Sequence, residues 1–570
     1  MIRTFQPHYI RKTQLLDGAW DFAIDPDDVG RKERWEQYFP ENCRKAYVPS
    51  CWNNESDLYE YEGVAWYRTT VHAGDASQYR LAFHGVQGSA DIYWDGDKIA
   101  SHYGGFTPIE CILSGVSPGP HELVVRTDST LDELTLPYRI VDWFHYGGIT
   151  RSVEWQPLAD AAIDDLRIAY EIEEDGSRVE AACAIALRSF LPEEIVVPIR
   201  LELDGESVWN GDAVVAPGGS SVVEARFTVE NARLWNVGAP ELYYVRAVLP
   251  GDDRVERIGF RRIETGNKQI RINGKPVYLK GINRHEEHPE WGFAVPPKLM
   301  HKDMDILKRL GCNAVRGSHY PQSPYWLDLL DENGIVFWGE IPIWGAHLPL
   351  EPLQSPVVVE RASTMLREMI RRDRHHPCVI MWGIHNEIDT RSRIAYDFSV
   401  PLIEAVRSED VTRPIVYATM HPDEDIVLPL VDIVGINKYY GWYGGDVSGF
   451  EGMLERFHAR MEQFGCTDKP VLMSEFGAAG VFGETGFEPR IFSEDYQNEV
   501  VEKALRIFLA DKNVCGTFVW HFADIRVNLR KEHLQFRDRA RSFNNKGLLN
   551  EYRKPKTAFR TVQAIYKNIP

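Results

Sequence analysis

The stretch Met381-Trp382-Gly383-Ile384-His385-Asn386-Glu387 decides how the second half of this chain is read. Four apolar or small residues lead to a polar tail that ends on a carboxylate. A second stretch, Val471-Leu472-Met473-Ser474-Glu475-Phe476-Gly477, has the same build. Short apolar runs of this kind, without alternation, are the pattern of parallel strands covered on both faces. Acids are rarely placed at the ends of such strands without a partner, because an unpaired buried charge is costly.

Working outward, strand-like runs recur at 277–281, 313–317, 335–339, 379–383, 415–419, 433–437, 471–474 and 517–521. Helical spacing separates them. At 298–310, Met300, Met304, Leu307 and Gly311 mark one helix face. At 357–373, the pair Ser355-Pro356 reads as a cap and a first-turn proline. Eight strands alternating with helices over about 300 residues predict a (β/α)8 TIM barrel. In such barrels the groups that do chemistry gather at the strand C-termini, where Glu387 and Glu475 stand.

Upstream of about Asn267 the texture is all-β. Tyr79, Leu81 and Phe83 alternate with polar or small residues, and Asp95-Gly96 turns the chain after Ile92 and Trp94, so 78–100 predicts a hairpin. Strand-like segments at 196–203, 222–229 and 242–249 are spaced by Asp204-Gly205 and Gly218-Gly219. The chain is therefore multidomain: a jelly-roll-like β-sandwich over 1–159, an immunoglobulin-like β-sandwich over 160–264 and the barrel over 265–570.

Composition narrows the function classes. Lys and Arg number 64 against 84 Asp and Glu, a net charge of −20 without a basic tract, which argues against nucleic acid. No run of 18 apolar residues marks a membrane span, and Met1-Ile2-Arg3-Thr4-Phe5-Gln6-Pro7 has no apolar signal core. The eight cysteines are scattered without a Cys-x-x-Cys pair, and Cys312, Cys378 and Cys515 adjoin apolar strands as buried thiols. A reducing, cytoplasmic location is expected. His285-Glu286-Glu287-His288 lacks the spacing of a helical zinc site and follows a strand, so structural roles are expected and no metal is assigned.

Two carboxylates on two barrel strands are the layout of glycoside hydrolysis. One protonates the leaving oxygen and the other attacks or activates water. The longer segments around them resemble glycoside hydrolase family 2. Asn313-Ala314-Val315-Arg316-Gly317-Ser318-His319-Tyr320-Pro321, running on to Gly334-Ile335-Val336, is similar to its first signature. Arg372-Asp373-Arg374-His375-His376-Pro377 through Asn386-Glu387 is similar to its second. The resemblance implies that Glu387 is the acid/base and Glu475 the nucleophile. It also implies that Asn386 bonds the sugar 2-hydroxyl, that Tyr439 lies beside the nucleophile and that His319 faces the substrate.

Substrate choice within that family points to its β-glucuronidase branch. Arg541-Ser542-Phe543-Asn544-Asn545-Lys546-Gly547 resembles the Asn-x-Lys motif of that branch. An ammonium and an amide, from Lys546 and Asn544, suit the C6 carboxylate that separates glucuronate from neutral hexoses. The branch often carries an arginine four residues before the motif Asn; here that position is Ala540, flanked by Arg539 and Arg541. Asp142-Trp143-Phe144-His145-Tyr146-Gly147-Gly148-Ile149-Thr150-Arg151 resembles the segment that lends an Asp to the pocket, so Asp142 is expected on sugar hydroxyls. Tyr443 and Trp520 match further pocket residues. The resemblance implies a retaining β-glucuronidase that needs no cofactor and assembles as a homodimer or homotetramer. A β-galactosidase, a galacturonidase or another family 2 exo-glycosidase is the alternative. A non-catalytic sugar-binding protein is the rival from another class. The short crossing from Trp344 to Val357 predicts an open mouth suited to larger leaving groups.

Overall fold

A computed structural model of the chain describes residues 2–345, 349–528 and 539–569. It divides into two compact units. One holds Met1–Thr130, Tyr146–Arg261 and His375–Pro377; the other holds Leu131–His145, Arg262–Arg374 and Cys378–Pro570.

The first unit contains two sandwiches. In one, a four-stranded sheet runs in the order Gln14–Leu15, Val153–Leu158, Gln78–Phe83, Ile109–Ser114. A six-stranded sheet runs Arg44–Val48, Gly18–Asp25, Val64–Ala73, Gly119–Asp128, Ser89–Trp94, Asp97–Tyr103. Ile109–Ser114 alternates buried and exposed residues along its length, the signature of a strand with one wet face. The core between the sheets includes Trp20, Phe22, Leu81, Phe83, Ile92, Val125 and Trp155. The Asp95-Gly96 turn is real: Trp94 pairs with Asp97, and both turn residues take positive φ, 50° and 85°. The hairpin is smaller than expected, because Gln78–Phe83 pairs in the other sheet, with Ile109–Ser114 and Val153–Leu158.

The other sandwich sets Ala161–Ile172, Arg178–Ser189 and Ser220–Glu230 against Glu206–Val215, Ile195–Leu203, Tyr243–Leu249 and Asp252–Ile258. Seven antiparallel strands in two sheets make an immunoglobulin-like sandwich, with the fourth strand, Glu206–Val215, paired beside Ile195–Leu203 and not beside Ser220–Glu230 as in the constant type. Leu166, Val179, Ile185, Leu201 and Val245 fill it, and Cys183 is buried among them as a free thiol.

The second unit is a closed barrel of eight parallel strands: β1 (Leu279–Arg284), β2 (Ala314–Gly317), β3 (Val336–Glu340), β4 (Val379–Asn386), β5 (Ile415–Thr419), β6 (Ile433–Asn437), β7 (Val471–Phe476) and β8 (Val514–Val519). β8 closes on β1 through Leu279–Gly516 and Ile282–Val519. The eighth strand starts earlier than expected and ends before Trp520, which places Trp520 and His521 beyond the strand, at the barrel's C-terminal rim. Helices Pro297–Leu310, Pro324–Asn333, Pro356–Asp373, Arg393–Glu409, Gly449–Gln463, Glu494–Ala510 and Thr557–Asn568 follow β1 to β4 and β6 to β8. The crossing from β5 to β6 is too short for a full helix and carries the 3-10 turn Leu428–Leu430 instead. Pro356 opens its helix as expected, although the Ser355 side chain makes no capping bond; Ser392 and Ser493 cap theirs. Gly311 and Gly334 end their helices with positive φ, where a Cβ is disfavoured. Among the described residues no helix is long and apolar enough to cross a membrane.

Candidate active site

At the C-terminal ends of the barrel strands lies a cavity of about 570 Å³. Eight of the ten expected site residues line it: Asp142, His319, Glu387, Tyr439, Tyr443, Glu475, Trp520 and Lys546. Asn386 and Asn544 do not; both stand behind the wall and hold residues that do.

Glu475, near the end of β7, is 3 % exposed, and both its oxygens are held. Arg316 Nη1 donates to Oε1 at 2.7 Å and the Tyr439 hydroxyl donates to Oε2 at 2.6 Å. Arg316, fully buried on β2, also forms a two-point bond to Glu340 at the end of β3, with 3.0 Å for each contact, and donates to Asn386 Oδ1 at 2.7 Å. One guanidinium thus joins three strand ends. His319 Nδ1 meets Glu340 Oε1 at 2.7 Å; its buried Nε2 has no hydrogen-bond partner among the described residues and lies 3.9 Å from Glu475 Oε1. Burial, then the Arg316 charge, pushes the His319 pKa well down, so the ring is neutral. Its ring stacks on Trp520, with centroids 5.2 Å apart, and tilts against Trp143 at 5.4 Å.

Glu387 follows β4 directly. Its φ of 54° is a left-handed conformation that non-glycine residues rarely hold, and such strain gathers at functional sites. Asn437 Nδ2 donates to Glu387 Oε1 at 3.0 Å and to Asn386 Oδ1 at 3.0 Å. No arginine or lysine is bonded to this carboxyl among the described residues. Burial, then the Glu475 charge, raises its pKa from 4.5 to about 8. Burial also pushes Glu475 up, while the Arg316 charge and the bonds from Tyr439 and Arg316 pull it back down. The two carboxyls thus stand in different surroundings: Glu387 is poised as an acid at neutral pH, and Glu475 is bonded to groups that favour its ionised form.

The rest of the wall comes from connecting segments. Arg539 makes a two-point bond to Asp142, with Nε to Oδ1 at 3.0 Å and Nη2 to Oδ2 at 2.7 Å. Its Nη2 also donates to the Tyr443 hydroxyl at 2.8 Å, and Lys546 Nζ donates to the same hydroxyl at 3.0 Å. Asn544 Nδ2 donates to Asp142 Oδ2 at 2.8 Å, and Asn544 Oδ1 accepts from the Lys546 backbone N–H at 3.3 Å. The Asn544 amide is therefore turned to Asp142 and not into the cavity. Lys546 is 1 % exposed, and its ammonium sits 4.9 to 5.7 Å from the ring centres of Tyr443, Trp442 and Tyr439. Its loop is clamped from behind by a fully buried ion pair: Lys556 Nζ meets Asp524 Oδ1 at 2.6 Å and the Asn545 carbonyl at 2.9 Å, and Asp524 Oδ1 accepts from the Gly547 N–H at 3.0 Å.

Of the two arginines flanking Ala540, it is Arg539 that lines the cavity; Arg541 pairs with Glu551 at 3.2 Å. Arg316, Glu340, Asn437 and Trp143 were not singled out in the sequence. Two signals were available there: Arg316 is a charge inside an apolar strand, and Glu340 is a third strand-end acid. His285 bonds the Tyr320 hydroxyl, Glu286 accepts the Ser323 N–H and His288 accepts the Glu290 N–H, so that segment holds neighbouring loops. In the crossing after β3, residues 346–348 lie outside the described residues; Glu351–Gln354 forms a 3-10 turn.

A parallel barrel with paired acids at its strand ends is the layout of a glycoside hydrolase. The chain belongs to glycosyl hydrolases family 2. Residues 263–570 match the TIM barrel domain of that family, and residues 161–261 match a further family 2 domain. It is 27 % identical to the β-glucuronidase of Paenibacillus borealis over 605 residues, covering 97 % of this chain and 96 % of that one. With the β-glucuronidase of Chlorocebus aethiops the identity is 28 %, over 96 % and 90 %. Among solved structures, it resembles a β-galacturonidase of Eisenbergiella tayi bound to galacturonate, with 30 % identity, a TM-score of 0.92 and full coverage of both chains. It also resembles a Ruminococcus gnavus β-glucuronidase in complex with D-glucuronic acid, with 27 % identity, a TM-score of 0.87 and 99 % coverage of both.

Proposed function

We propose that this chain is a retaining β-glucuronidase. The observation that carries the reading is Lys546, a buried ammonium in the cavity wall, ringed by three aromatic side chains and joined through Tyr443 to Arg539. A buried cation facing a substrate cavity favours a substrate anion, because a carboxylate there regains the solvation that the ammonium has lost. Arg539 cancels the charge of Asp142, which would otherwise repel that carboxylate.

In the first step Glu475 attacks the anomeric carbon while the bond to the leaving oxygen breaks and Glu387 gives that oxygen its proton. Asn437 occupies Glu387 Oε1, so the proton is carried on Oε2. Arg316 and Tyr439 aim the Glu475 carboxylate. In the second step water adds to the same carbon, Glu387 takes its proton, and Glu475 leaves with the configuration retained. The His319 Nε2, which lacks a hydrogen-bond partner among the described residues, is suited to a sugar hydroxyl. The Asn386 Nδ2 lacks one too, and it reaches the 2-hydroxyl only if the sugar seats deep enough to meet the wall behind which Asn386 stands. The same reading includes the three-domain division given above, a cytoplasmic enzyme and assembly as a homodimer or homotetramer.

The second reading is a β-galacturonidase, favoured by the likeness to the Eisenbergiella tayi enzyme. Both sugars carry the C6 carboxylate and differ at C4. Rates on p-nitrophenyl β-D-glucuronide, β-D-galacturonide and β-D-galactoside separate the readings, and NMR of the first sugar released reads the anomer. Preference for the galactoside would sink the uronide reading. An α-anomer released first would sink retention.

A further inference from the structure

One part of the cavity wall is not used by the proposed chemistry. Met420, Lys438 and Tyr440 extend it beyond the ends of β5 and β6. Lys438 directly follows Asn437, which bonds Glu387, and the Lys438 N–H donates to the Glu475 carbonyl at 3.0 Å. Its backbone is therefore fixed between the two candidate catalytic strands.

The Lys438 ammonium differs from the other cations of the wall. Arg539 is bonded to Asp142 and Tyr443, and Lys546 to Tyr443. Lys438 Nζ, among the described residues, has no hydrogen bond and no ion pair within 4.0 Å. The charges around it are Asp423, Glu387, Arg456 and Arg391. Asp423 is taken by Arg456 at 3.0 Å, and Arg391 is held by Asp389 at 2.7 Å. Half-buried and unpaired, Lys438 bears a desolvation cost that a ligand anion would offset.

Its neighbours also say which part of a substrate it meets. They come from the segments after β4 and β5 and from the helix after β6. Lys546 instead lies on the segment after β8. Glu387 must reach the glycosidic oxygen, so the wall beside Glu387 and away from Lys546 borders the leaving group.

We infer that Lys438 forms a second anion-binding subsite, on the leaving-group side of Glu387, for substrates whose leaving group carries a carboxylate near the glycosidic oxygen. The inference rests on the uronide reading for its orientation, but its test does not.

The test compares 3-carboxyphenyl β-D-glucuronide with its aryl methyl ester, which keeps the shape and removes the charge. A uronate disaccharide and the methyl ester of its reducing-end carboxylate form the second arm. The first arm asks for an aryl acid, the second for an acidic sugar. Wild type should prefer acid over ester in kcat/KM by about three- to thirtyfold at low salt in at least one arm, the range of a charge-assisted bond discounted for partial exposure. Lys438→Met should bring that ratio near one, and Lys438→Arg should restore it. An acid-to-ester ratio of one in wild type in both arms overturns the inference. So does an equal loss on acid and ester in Lys438→Met, which would mean that Lys438 acts only through Glu387. If the protein cleaves neither glucuronides nor galacturonides, the uronide reading has failed, and the same ratio is then measured on the glycoside it does cleave.

Discussion

The cavity has two kinds of wall. Glu387, Glu475, Arg316 and Asn437 stand at the ends of barrel strands, held by the parallel ladder and by one another. Asp142, Arg539, Tyr443 and Lys546 stand on connecting segments, held by an ion pair and a shared phenol; Tyr443 is 59 % exposed. The strand-borne part is a closed network in which Arg316 reaches Glu475, Glu340 and Asn386. Such a network keeps a carboxylate within the small tolerances that chemistry needs. On the uronide reading proposed above, the loop-borne part needs only to present charge to a charged substrate, and loops vary more freely than strands. On the proposed reading, the bond-breaking step falls to the scaffold and the choice of sugar to the loops.

The sharpest way to break that comparison is to disable one residue of each kind. Glu475→Gln should lower kcat by about 10⁴-fold or more, with an unchanged circular-dichroism spectrum, since an amide cannot attack the anomeric carbon. A residual rate within a hundredfold of wild type would remove Glu475 from the nucleophile role. Arg316→Met tests the network itself. It leaves Glu475 and Glu340 buried without their cation, and urea unfolding should show a loss of about 3–5 kcal/mol, the usual cost of orphaning a buried charge. A loss below 1 kcal/mol would mean that the network adds little rigidity.

Lys546→Ala should act on the sugar and not on the chemistry. The kcat/KM on a glucuronide should fall about 10- to 150-fold, the worth of a charge-assisted bond, while any activity on a neutral glycoside stays level or rises. Equal losses on both would make Lys546 a mere support for its loop.

The smallest effect is a pH dependence. Glu387 has a folded-state pKa near 8 against 4.5 when unfolded, so the fold favours its neutral form. Its burial costs nothing below about pH 4.5, and stability is lost as the pH climbs through 8. Glu387→Gln removes that liability, so the variant's melting temperature should exceed that of wild type by more at pH 8 than at pH 5. In the variant Glu475 also loses the repulsion of an ionised Glu387, which adds to the gain at pH 8 in the same direction. In wild type, kcat/KM on a glycoside with a poor leaving group should fall above about pH 8. A pH-independent difference in melting temperature would contradict the raised pKa.

The barrel was legible because its signals are local. Runs such as Ile415–Thr419 and Ile433–Asn437 are continuous apolar segments, and they form strands with those bounds. The acids at β4 and β7 were legible for a related reason, since a charge at the end of an apolar run is conspicuous. Pairing across sheets was less so. Gln78–Phe83 alternates correctly, yet nothing local to it says that its partners are Ile109–Ser114 and Val153–Leu158 and not the next strand.

The sequence by itself determined the fold class, the two strand-end carboxyls and the presence of a lysine after the last strand. Only the tertiary structure decided what each group faces. It turned Asn544 to Asp142, chose Arg539 over Arg541, and placed Arg316 between Glu475 and Glu340. It also gave two chemically identical side chains different surroundings, since of the two only Glu475 is bonded to a guanidinium. Strand and helix patterns are set by neighbours in sequence, within a few residues. Charge, burial and hydrogen bonding at a site are set by residues up to 402 positions apart, as Asn544 and Asp142 are, and those meet only when the chain has folded.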